Sequence, residues 1–456
     1  MSRRLPTLLA GIAAAGAALA GWPAPGAPAR ADASTAAAPT TPVLSPRRVP
    51  ALLARTVGDQ RLTAALDAAL GDPALGAARE QSCLVVESGG TTLYARRADA
   101  ALLPASNLKL LTAAAVLSEL GPDSTLSTEV RMAGGDLWLV GGGDPLLATG
   151  DYIASMRRPL ARWTPLEELA KRVKDAGITV VSGSVRGDET RYDTQRFVPT
   201  WKPGYLTDNE IGPMSALTVN DGFSAFKPKK IRAAQPATHA AEVFTTLLRN
   251  QGVTVVGVPG EGKAPGSARR VAAVPSVPVR DLVGEMLRES DNLTAELLLK
   301  EVAHHAGQQG STAAGVAVAR DELSSIGVPV GGVTWVDGSG LDRGNRATCA
   351  TIDALLHTTR TGGPIADGLP VAGATGTLEK RFTDSPAAAR VRAKTGSLDG
   401  VSALSGFADA RSGPLTFSLL LNGLPRDALG PQTWVRVAEA LVAYPDAPPV
   451  AELSPR

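Results

Sequence analysis

The sequence has few aromatic residues and almost no net charge, which argues against one broad class of function. Aromatic residues make up 4% of the 456 residues, and the formal net charge is +2. The chain has no basic block with interleaved aromatic side chains, the pattern typical of nucleic-acid binding. We therefore expect no nucleic-acid partner. Hydrophobic residues at 44% and charged residues at 20% are instead typical of a globular chain with a large core.

Residues that bind metal ions are also scarce in recognisable patterns. The four histidines are scattered, and the sequence has no H-E-x-x-H motif. Cys83 and Cys349 are the only cysteines of the chain, and they lie outside any metal-ligand spacing. We therefore expect no metal site. The two cysteines could form a disulfide bond or remain two buried thiols, and the sequence leaves both open.

An apolar run suited to membrane insertion is found only near the N-terminus. Arg3 and Arg4 precede an apolar stretch from about Leu8 to Ala20, and small-residue cleavage sites of the A-x-A kind follow. This order is typical of a secretory signal peptide, which we assign to residues 1–31. The alternative is an uncleaved anchor, which would be the chain's membrane contact. We expect an exported protein of the periplasm or extracytoplasmic cell envelope, with a flexible linker at residues 32–50.

A serine and a lysine stand one helical turn apart in the apolar stretch "PASNLKLLTAAAVLSELG". Ser106 and Lys109 lie on one face at the start of a predicted helix. The helix N-terminus favours developing negative charge, and apolar surroundings favour a neutral, basic lysine. This pair predicts a nucleophile and its base, although about one S-x-x-K is expected by chance in such a chain. A second pair, Ser224 and Lys227, is followed by Pro228 rather than an apolar helix, so we predict that it is not catalytic.

Two further motifs strengthen the interpretation of the first pair. Ser290-Asp291-Asn292 precedes an apolar helical run, and Lys394-Thr395-Gly396-Ser397 lies in a strand-like segment. In isolation, the first motif favours a simple helix cap and the second a strand end with a turn. Together, S-x-x-K, S-D-N and K-T-G occur in the order and on the elements that the chemistry needs. They are the signature set of penicillin-recognising serine acyltransferases.

The wider sequence resembles one family within this group. The segments "GDLWLVGGGDPLL", "GPMSALTVNDG", "DGSGLDRGNRAT", "LPVAGATGTLEKRF" and "AKTGSLDGVSALSGFA" are similar to those of low-molecular-mass class C penicillin-binding proteins. These are D-alanyl-D-alanine carboxypeptidases/endopeptidases of the bacterial cell envelope. The resemblance covers roughly residues 60–445. It implies an α/β (α+β) fold, a serine β-lactamase/transpeptidase-like domain with an antiparallel sheet flanked by helices.

The spacing of the motifs implies a second, inserted domain. Simpler members of the superfamily have a much shorter stretch between the positions matched by Ser106 and Ser290. We therefore assign a discontinuous catalytic domain to residues 50–135 and 275–456, and the inserted domain to residues 136–274. Well-known members carry a third domain after the segment matching "SALTVNDG". Here only a short segment precedes the next predicted helix, so we predict that the third family domain is absent.

The resemblance implies a catalytic role for four residues. Ser106 would attack the carbonyl carbon of the D-Ala–D-Ala bond of peptidoglycan stem peptides, forming an acyl-enzyme, and Lys109 would take its proton. Ser290 would pass a proton to the leaving amine, helped by Lys394. The chemistry needs no metal ion and no other cofactor, and β-lactam antibiotics would act as inhibitors.

The same resemblance implies substrate-binding roles. Asn292 would bind the amide of the substrate, and the edge formed by Thr395, Gly396 and Ser397 would hold its terminal carboxylate. The backbone N–H groups of Ser106 and Ser397 would form the oxyanion hole, often the largest electrostatic contribution to such a reaction.

Four alternatives to this interpretation can be weighed from the sequence. A β-lactamase or an esterase of the same fold would carry the same motifs, but the E-x-x-L-N segment usual in a β-lactamase does not follow Asn292. A non-catalytic envelope-binding protein would not need both lysines. A nucleotide-binding loop at "GVPGEGKA", residues 257–264, lacks the Ser or Thr that holds magnesium, so we reject it.

Overall fold

The computed structural model describes residues 49–359 and 362–453. The predicted signal peptide, residues 1–31, lies outside these residues, and so does the predicted linker as far as residue 48. The first described element is a helix that begins at Val49. Among the described residues, no helix is both long enough and apolar enough to cross a membrane.

The described part of the chain contains sixteen strands, several of them only two residues long. In chain order they are β1 (Ser82–Ser88), β2 (Thr91–Arg96), β3 (Ser127–Ala133), β4 (Asp136–Val140), β5 (Leu147–Ala148), β6 (Thr164–Pro165), β7 (Val180–Val181), β8 (Val185–Asp188), β9 (Phe223–Ala225), β10 (Ile231–Arg232), β11 (Thr254–Val255), β12 (Gly260–Glu261), β13 (Arg269–Pro275), β14 (Val391–Leu398), β15 (Val401–Ala410) and β16 (Gly413–Asn422).

The same residues contain twelve α-helices and several short 3₁₀ turns. In chain order the helices are α1 (Val49–Gly71), α2 (Leu108–Leu120), α3 (Gly150–Ser155), α4 (Leu166–Asp175), α5 (Pro203–Thr207), α6 (Pro236–Asn250), α7 (Val279–Glu289), α8 (Asn292–His305), α9 (Thr312–Ser325), α10 (Cys349–Thr359), α11 (Pro364–Gly368) and α12 (Leu429–Ala443). Two of the 3₁₀ turns, Ala105–Asn107 and Gly376–Leu378, border the candidate site described below.

The largest antiparallel sheet has the strand order β14-β15-β16-β1-β2. A hairpin around Gly89-Gly90 forms its β1–β2 end, and both glycines have positive φ angles, which suits a tight turn. The strand β14, which carries the K-T-G motif, lies at the opposite edge. At its start this outer edge is paired, since the N–H of Ala372 donates to the carbonyl oxygen of Val391 and the N–H of Ala393 donates to the carbonyl oxygen of Pro370. Among the described residues no strand pairs with the outer edge from Thr395 to Leu398, which leaves backbone groups there available to a ligand.

Helices cover both faces of this sheet, as predicted for the fold class. Side chains alternate along β1, because successive residues of a strand point to opposite faces. Leu84 and Val86 belong to a core shared with α1 and α12, whereas Cys83 and Val85 belong to a core shared with α2, α7, α8 and α10. The predicted α/β (α+β) architecture of an antiparallel sheet flanked by helices is confirmed.

The helix α2 lies at the centre of the second core and is buried on almost every side. All residues from Leu108 to Val116 are buried. Apart from Lys109 and Thr112 these residues are apolar, and apolar side chains on several faces explain why the helix packs against α7, α8, α9 and α10 at once. A helix held on all sides provides a rigid base for the serine that precedes it.

A disulfide bond joins β1 to the start of α10. Cys83 and Cys349 are bonded, with their Cα atoms 5.9 Å apart, and both side chains are fully buried. Of the two arrangements that the sequence leaves open, the structure shows the disulfide.

A second five-stranded sheet has the order β12-β8-β4-β3-β13 and packs against α4 and α6. Its strands β3 and β13 pair antiparallel, so the sheet runs from Ser127 to Pro275 in sequence. The predicted boundary at residues 135/136 falls in the turn between β3 and β4. The inserted domain at residues 136–274 stays a prediction, and a unit that keeps this sheet whole would begin at β3.

The segment predicted to replace a third domain is a small hairpin. β9 pairs antiparallel with β10, and α6 begins at Pro236, four residues after β10 ends. Residues 223–235 therefore connect the two neighbouring parts of the chain without any larger folded unit between them.

Candidate active site

The 3₁₀ turn Ala105–Asn107 places Ser106 directly before α2. Ala105 adopts a positive φ of 46°, an uncommon conformation for a residue with a Cβ atom. Ser106 is half-buried and its surface faces a large cleft. The turn therefore presents a serine hydroxyl at the N-terminal end of a buried helix, as the sequence predicts.

Lys109 lies one helical turn beyond Ser106 and is fully buried. Its Nζ atom lies 3.1 Å from Ser106 Oγ, 2.7 Å from Asn292 Oδ1 and 2.7 Å from the carbonyl oxygen of Ser339. Burial lowers the pKa of Lys109 to about 8, although nearby carboxylates such as Asp291 oppose the shift. A substantial fraction of Lys109 is therefore neutral near pH 8.

The S-D-N motif combines a structural cap with two groups that face the site. Asp291 caps α8 by accepting a hydrogen bond from the backbone N–H of Thr294. Ser290 has a left-handed backbone, with φ at 62°, between α7 and α8. Asn292 accepts from Lys109 and donates to the carbonyl oxygen of Glu210, at 2.8 Å. The cap interpretation therefore applies to Asp291, while Ser290 and Asn292 line the cleft.

Lys394 lies within β14 and is also fully buried. Its Nζ atom lies 2.8 Å from Ser290 Oγ and 2.8 Å from the carbonyl oxygen of Thr395. Burial holds the pKa of Lys394 well below its usual range, and the positive charge of Lys109 lowers it further, against the opposing effect of Glu289. The site thus contains two buried lysines, each bonded to a serine hydroxyl.

The free edge of β14 forms one wall of the cleft. Thr395 Oγ1 donates to Thr377 Oγ1 at 2.9 Å, and Ser397 is exposed to the cleft. A Cβ atom at Gly396 would lie 2.9 Å from the carbonyl oxygen of Pro104, so a side chain there would press on the turn that carries Ser106. The glycine therefore allows β14 to pack closely against the nucleophile turn.

All eight predicted site residues are thus brought together. Six of them line a cleft of about 1060 Å³, namely Ser106, Ser290, Asn292, Thr395, Gly396 and Ser397. The two lysines lie beneath it and contact its serines. Ser224, predicted not to be catalytic, lies in β9 outside the lining of this cleft, and its hydroxyl donates to the carbonyl oxygen of Ile231.

Comparison with known families identifies this arrangement. The model of the D-Ala-D-Ala carboxypeptidase 3 (S13) family matches residues 62–227 and 224–436, most of the chain. The chain belongs to this family. The predicted resemblance to low-molecular-mass class C penicillin-binding proteins is confirmed, and so is the enzyme class, a serine-type D-Ala-D-Ala carboxypeptidase.

Individual relatives of this S13-family chain are similar over most of their length. It is 33% identical over 411 residues to "Carboxypeptidase DacB" of Mycolicibacterium smegmatis, covering 86% of this chain and 87% of that relative. It is 30% identical over 446 residues to a D-alanyl-D-alanine carboxypeptidase of Actinomadura sp. (strain R39), covering 78% and 80% respectively. The crystal structure of penicillin binding protein 4 (dacB) from Haemophilus influenzae has the same fold, with a TM-score of 0.67 at 21% identity, covering 79% of this chain and 95% of that one.

The S13-family site also includes a loop that the motifs do not identify. Ser339, in the segment Asp337–Asp342, directs its carbonyl oxygen at Lys109, and its N–H donates to Glu296 at 2.7 Å. Gly340 has a φ of +85°, and a Cβ atom there would lie 2.0 Å from the carbonyl oxygen of Ala105. The loop therefore packs directly against the nucleophile turn. The sequence signal was present in the family-like segment "DGSGLDRGNRAT", but it gave no residue roles.

One further residue, Arg158, connects the walls of the cleft. Arg158, which lies within the predicted inserted domain, donates to Glu289 at 2.6 Å and to the carbonyl oxygen of Gly376 at 2.9 Å. Glu289 precedes Ser290, and Gly376 precedes Thr377, which bonds to Thr395. Arg158 therefore fixes the end of α7 relative to the turn that supports β14. No sequence motif marks this arginine, because its partners are distant along the chain.

Proposed function

We propose that this chain hydrolyses the D-Ala–D-Ala bond of peptidoglycan stem peptides through an acyl-enzyme on Ser106. The observation that carries the proposal is the pair of buried lysines, each bonded to a different serine hydroxyl in one cleft. Such a pair supplies a base for the nucleophile and holds a second serine hydroxyl that can deliver a proton to the leaving group.

The contacts of Lys109 explain how it acts as the base. A neutral lysine amine has two N–H donors and one lone pair. Asn292 Oδ1 and the carbonyl oxygen of Ser339 are both acceptors, so they take the two N–H groups. The lone pair is then directed to the third neighbour, the hydroxyl of Ser106, which gives up its proton as its oxygen attacks the substrate carbonyl.

Breakdown of the tetrahedral intermediate needs a proton on the leaving amine. Ser290 gives its hydroxyl proton to this amine and receives in turn the proton that Lys109 took from Ser106, while Lys394 holds Ser290 Oγ in place through its Nζ atom. The N–H groups of Ser106 and Ser397 stabilise the negative oxygen of the intermediate. Lys109, neutral again, accepts a proton from the water that attacks the acyl-enzyme and passes it to Ser106 Oγ as the shortened peptide is released.

Substrate binding uses the remaining predicted residues. Asn292 binds the amide on the acyl side, and the edge formed by Thr395, Gly396 and Ser397 holds the terminal carboxylate. A β-lactam presents a similar carbonyl and carboxylate, so it acylates Ser106 and inhibits the enzyme. A β-lactam complex of penicillin binding protein 4 from Haemophilus influenzae is consistent with this. The buried disulfide supports action outside the cytoplasm, after export by the N-terminal signal.

Fluorescent penicillin labelling tests the nucleophile. The wild type and Ser224→Ala should both be labelled, whereas Ser106→Ala should not be. Incubation with a pentapeptide ending in D-Ala-D-Ala should release free D-Ala with the wild type and with Ser224→Ala, but not with Ser106→Ala. Labelling that persists in Ser106→Ala would refute the assignment. Rapid, sustained hydrolysis of nitrocefin would instead favour the β-lactamase alternative.

A further inference from the structure

Two basic residues line the cleft close to the proposed carboxylate-binding edge. Lys380 and Arg381 follow the turn that carries Thr377, and both side chains are exposed to the cleft. Across residues 49–359 and 362–453, neither side chain forms a hydrogen bond or an ion pair. Their neighbour Glu379 is already engaged by Arg158. The two positive charges are therefore available to a ligand.

The contacts of the cleft show on which side of the scissile bond this pair lies. Thr377 bonds to Thr395, which holds the carboxylate of the leaving residue in the proposed function. Asn292, which binds the acyl side, is bonded instead to the carbonyl oxygen of Glu210. Lys380 and Arg381 follow Thr377 along the chain, so they belong to the leaving-group side.

Charge is distributed unequally over the two sides of the cleft. Asp208 and Glu210 line the side of Asn292, while Lys380 and Arg381 line the side of Thr395. Three further carboxylates line the cleft, and each already has a partner. Asp399 is paired with Lys202, Glu289 with Arg158, and Asp427 accepts a hydrogen bond from the backbone N–H of Gly400. The cleft, at about 1060 Å³, also exceeds what two alanine residues need. Room and positive charge therefore remain beyond the leaving residue.

We propose that Lys380 and Arg381 bind a free carboxylate on a second stem peptide that departs as the leaving group, so that the enzyme prefers cross-linked peptides to single ones. This inference rests on the proposed function, since it uses the same acyl transfer. Ser106 Oγ bonds to the carbonyl carbon, the C–N bond breaks, and the amine of the second peptide takes the proton from Ser290. A second peptide offers carboxylates beyond the leaving residue, which a single D-Ala does not.

The test compares three soluble substrates under the same conditions. They are a pentapeptide monomer, a cross-linked peptide dimer whose leaving half carries free carboxylates, and the same dimer with those carboxylates amidated. In the wild type, kcat/KM for the free dimer should exceed that for the amidated dimer and should fall as salt is added. In Lys380→Ala/Arg381→Ala, the ratio of dimer to monomer kcat/KM should fall about fivefold, mainly through KM, as expected for two exposed charge contacts.

A matched control removes two charges elsewhere. Lys263 and Arg269 are exposed in the second sheet region and do not line the cleft, so Lys263→Ala/Arg269→Ala should keep the wild-type ratio. Penicillin labelling of every variant reports separately on Ser106, and a wild type without labelling would refute the proposed function itself. If penicillin does not label the double variant, the single variant Lys380→Gln is measured in its place. An unchanged ratio in a labelled variant, or a wild type that does not cleave the dimer, would overturn the inference.

Discussion

Lys109 and Lys394 are both fully buried, and each places its Nζ atom within hydrogen-bonding distance of a serine hydroxyl on the cleft. Burial lowers the pKa of both lysines, and the charge of Lys109 adds to the effect on Lys394. Burial removes water from both ammonium groups, and the repulsion between their like charges is then poorly screened, so both effects favour the neutral amines. The fold thereby makes ordinarily protonated side chains available as proton acceptors.

Replacement of Lys109 should abolish the base without removing the nucleophile. We expect Lys109→Met to reduce the rate of penicillin acylation by about 10²–10⁴-fold, the usual contribution of a general base. Lys109→Arg should be similarly slow, because a guanidinium keeps its proton. Stopped-flow quenching or timed fluorescent labelling measures the rate, and circular dichroism checks the fold. Acylation at the wild-type rate in either variant would contradict the role of Lys109.

The pH dependence of acylation should follow the pKa of Lys109. Only neutral Lys109 accepts the proton, so kcat/KM should rise as pH increases and level off above about pH 8. At pH 7, a group with this pKa is neutral in about one molecule in ten, against about one in three thousand for an ordinary lysine. Second-order acylation rates between pH 6 and 9 provide the measurement. A rate that stays flat over this range would argue against a base with this pKa.

The contacts of Arg158 predict that this residue of the predicted inserted domain affects the rate of acylation. Arg158→Ala should lower the acylation rate about tenfold, since the end of α7 and the turn at Gly376 lose their common partner. Arg158→Lys should recover part of the rate. The matched control is Arg162→Ala, which removes an exposed ion pair with Asp281 and should change the rate less than twofold. Equal losses in the two alanine variants would contradict the positioning role.

Close packing at Gly340 predicts that a single methyl group disrupts the nucleophile turn. Gly340→Ala places a Cβ atom 2.0 Å from the carbonyl oxygen of Ala105, at a positive φ. We expect acylation to fall more than about tenfold and the free energy of unfolding to fall by about 1–3 kcal/mol. Gly331→Ala is the control, because its Cβ atom would meet no atom within 4 Å. A Gly340→Ala variant with normal acylation would show that the loop does not constrain the turn.

The disulfide predicts sensitivity to reduction. Cys83→Ser/Cys349→Ser should lower the free energy of unfolding by about 2–5 kcal/mol, because the bond closes a loop of 266 residues between β1 and α10. Thermal denaturation provides the measurement. Dithiothreitol should lower the Tm of the wild type and leave the double variant unaffected. If dithiothreitol lowered the Tm of the wild type and of the double variant equally, the loss of stability would not come from this disulfide bond.

Local patterns predicted much of the fold, with small shifts at the boundaries. The sequence pattern predicts a final helix near Thr433 to Tyr444, and in the structure this helix runs from Leu429 to Ala443. The pattern also predicts one helical stretch from about Val279, where the structure has two helices interrupted at Ser290. Ser290 has a left-handed backbone, and its hydroxyl contacts Lys394 on another element. Such a break is not visible in hydrophobic periodicity.

The sequence by itself determined the chemical groups and their order, because motifs such as Ser106 with Lys109 are local and keep their spacing on a helix. The tertiary structure decided which distant groups meet them. It brought Ser339 to Lys109, Thr377 to Thr395 and Cys83 to Cys349. It also excluded both lysine side chains from water. Burial is a property of the packed chain rather than of any segment, and it is burial that lowers their pKa values and makes them bases.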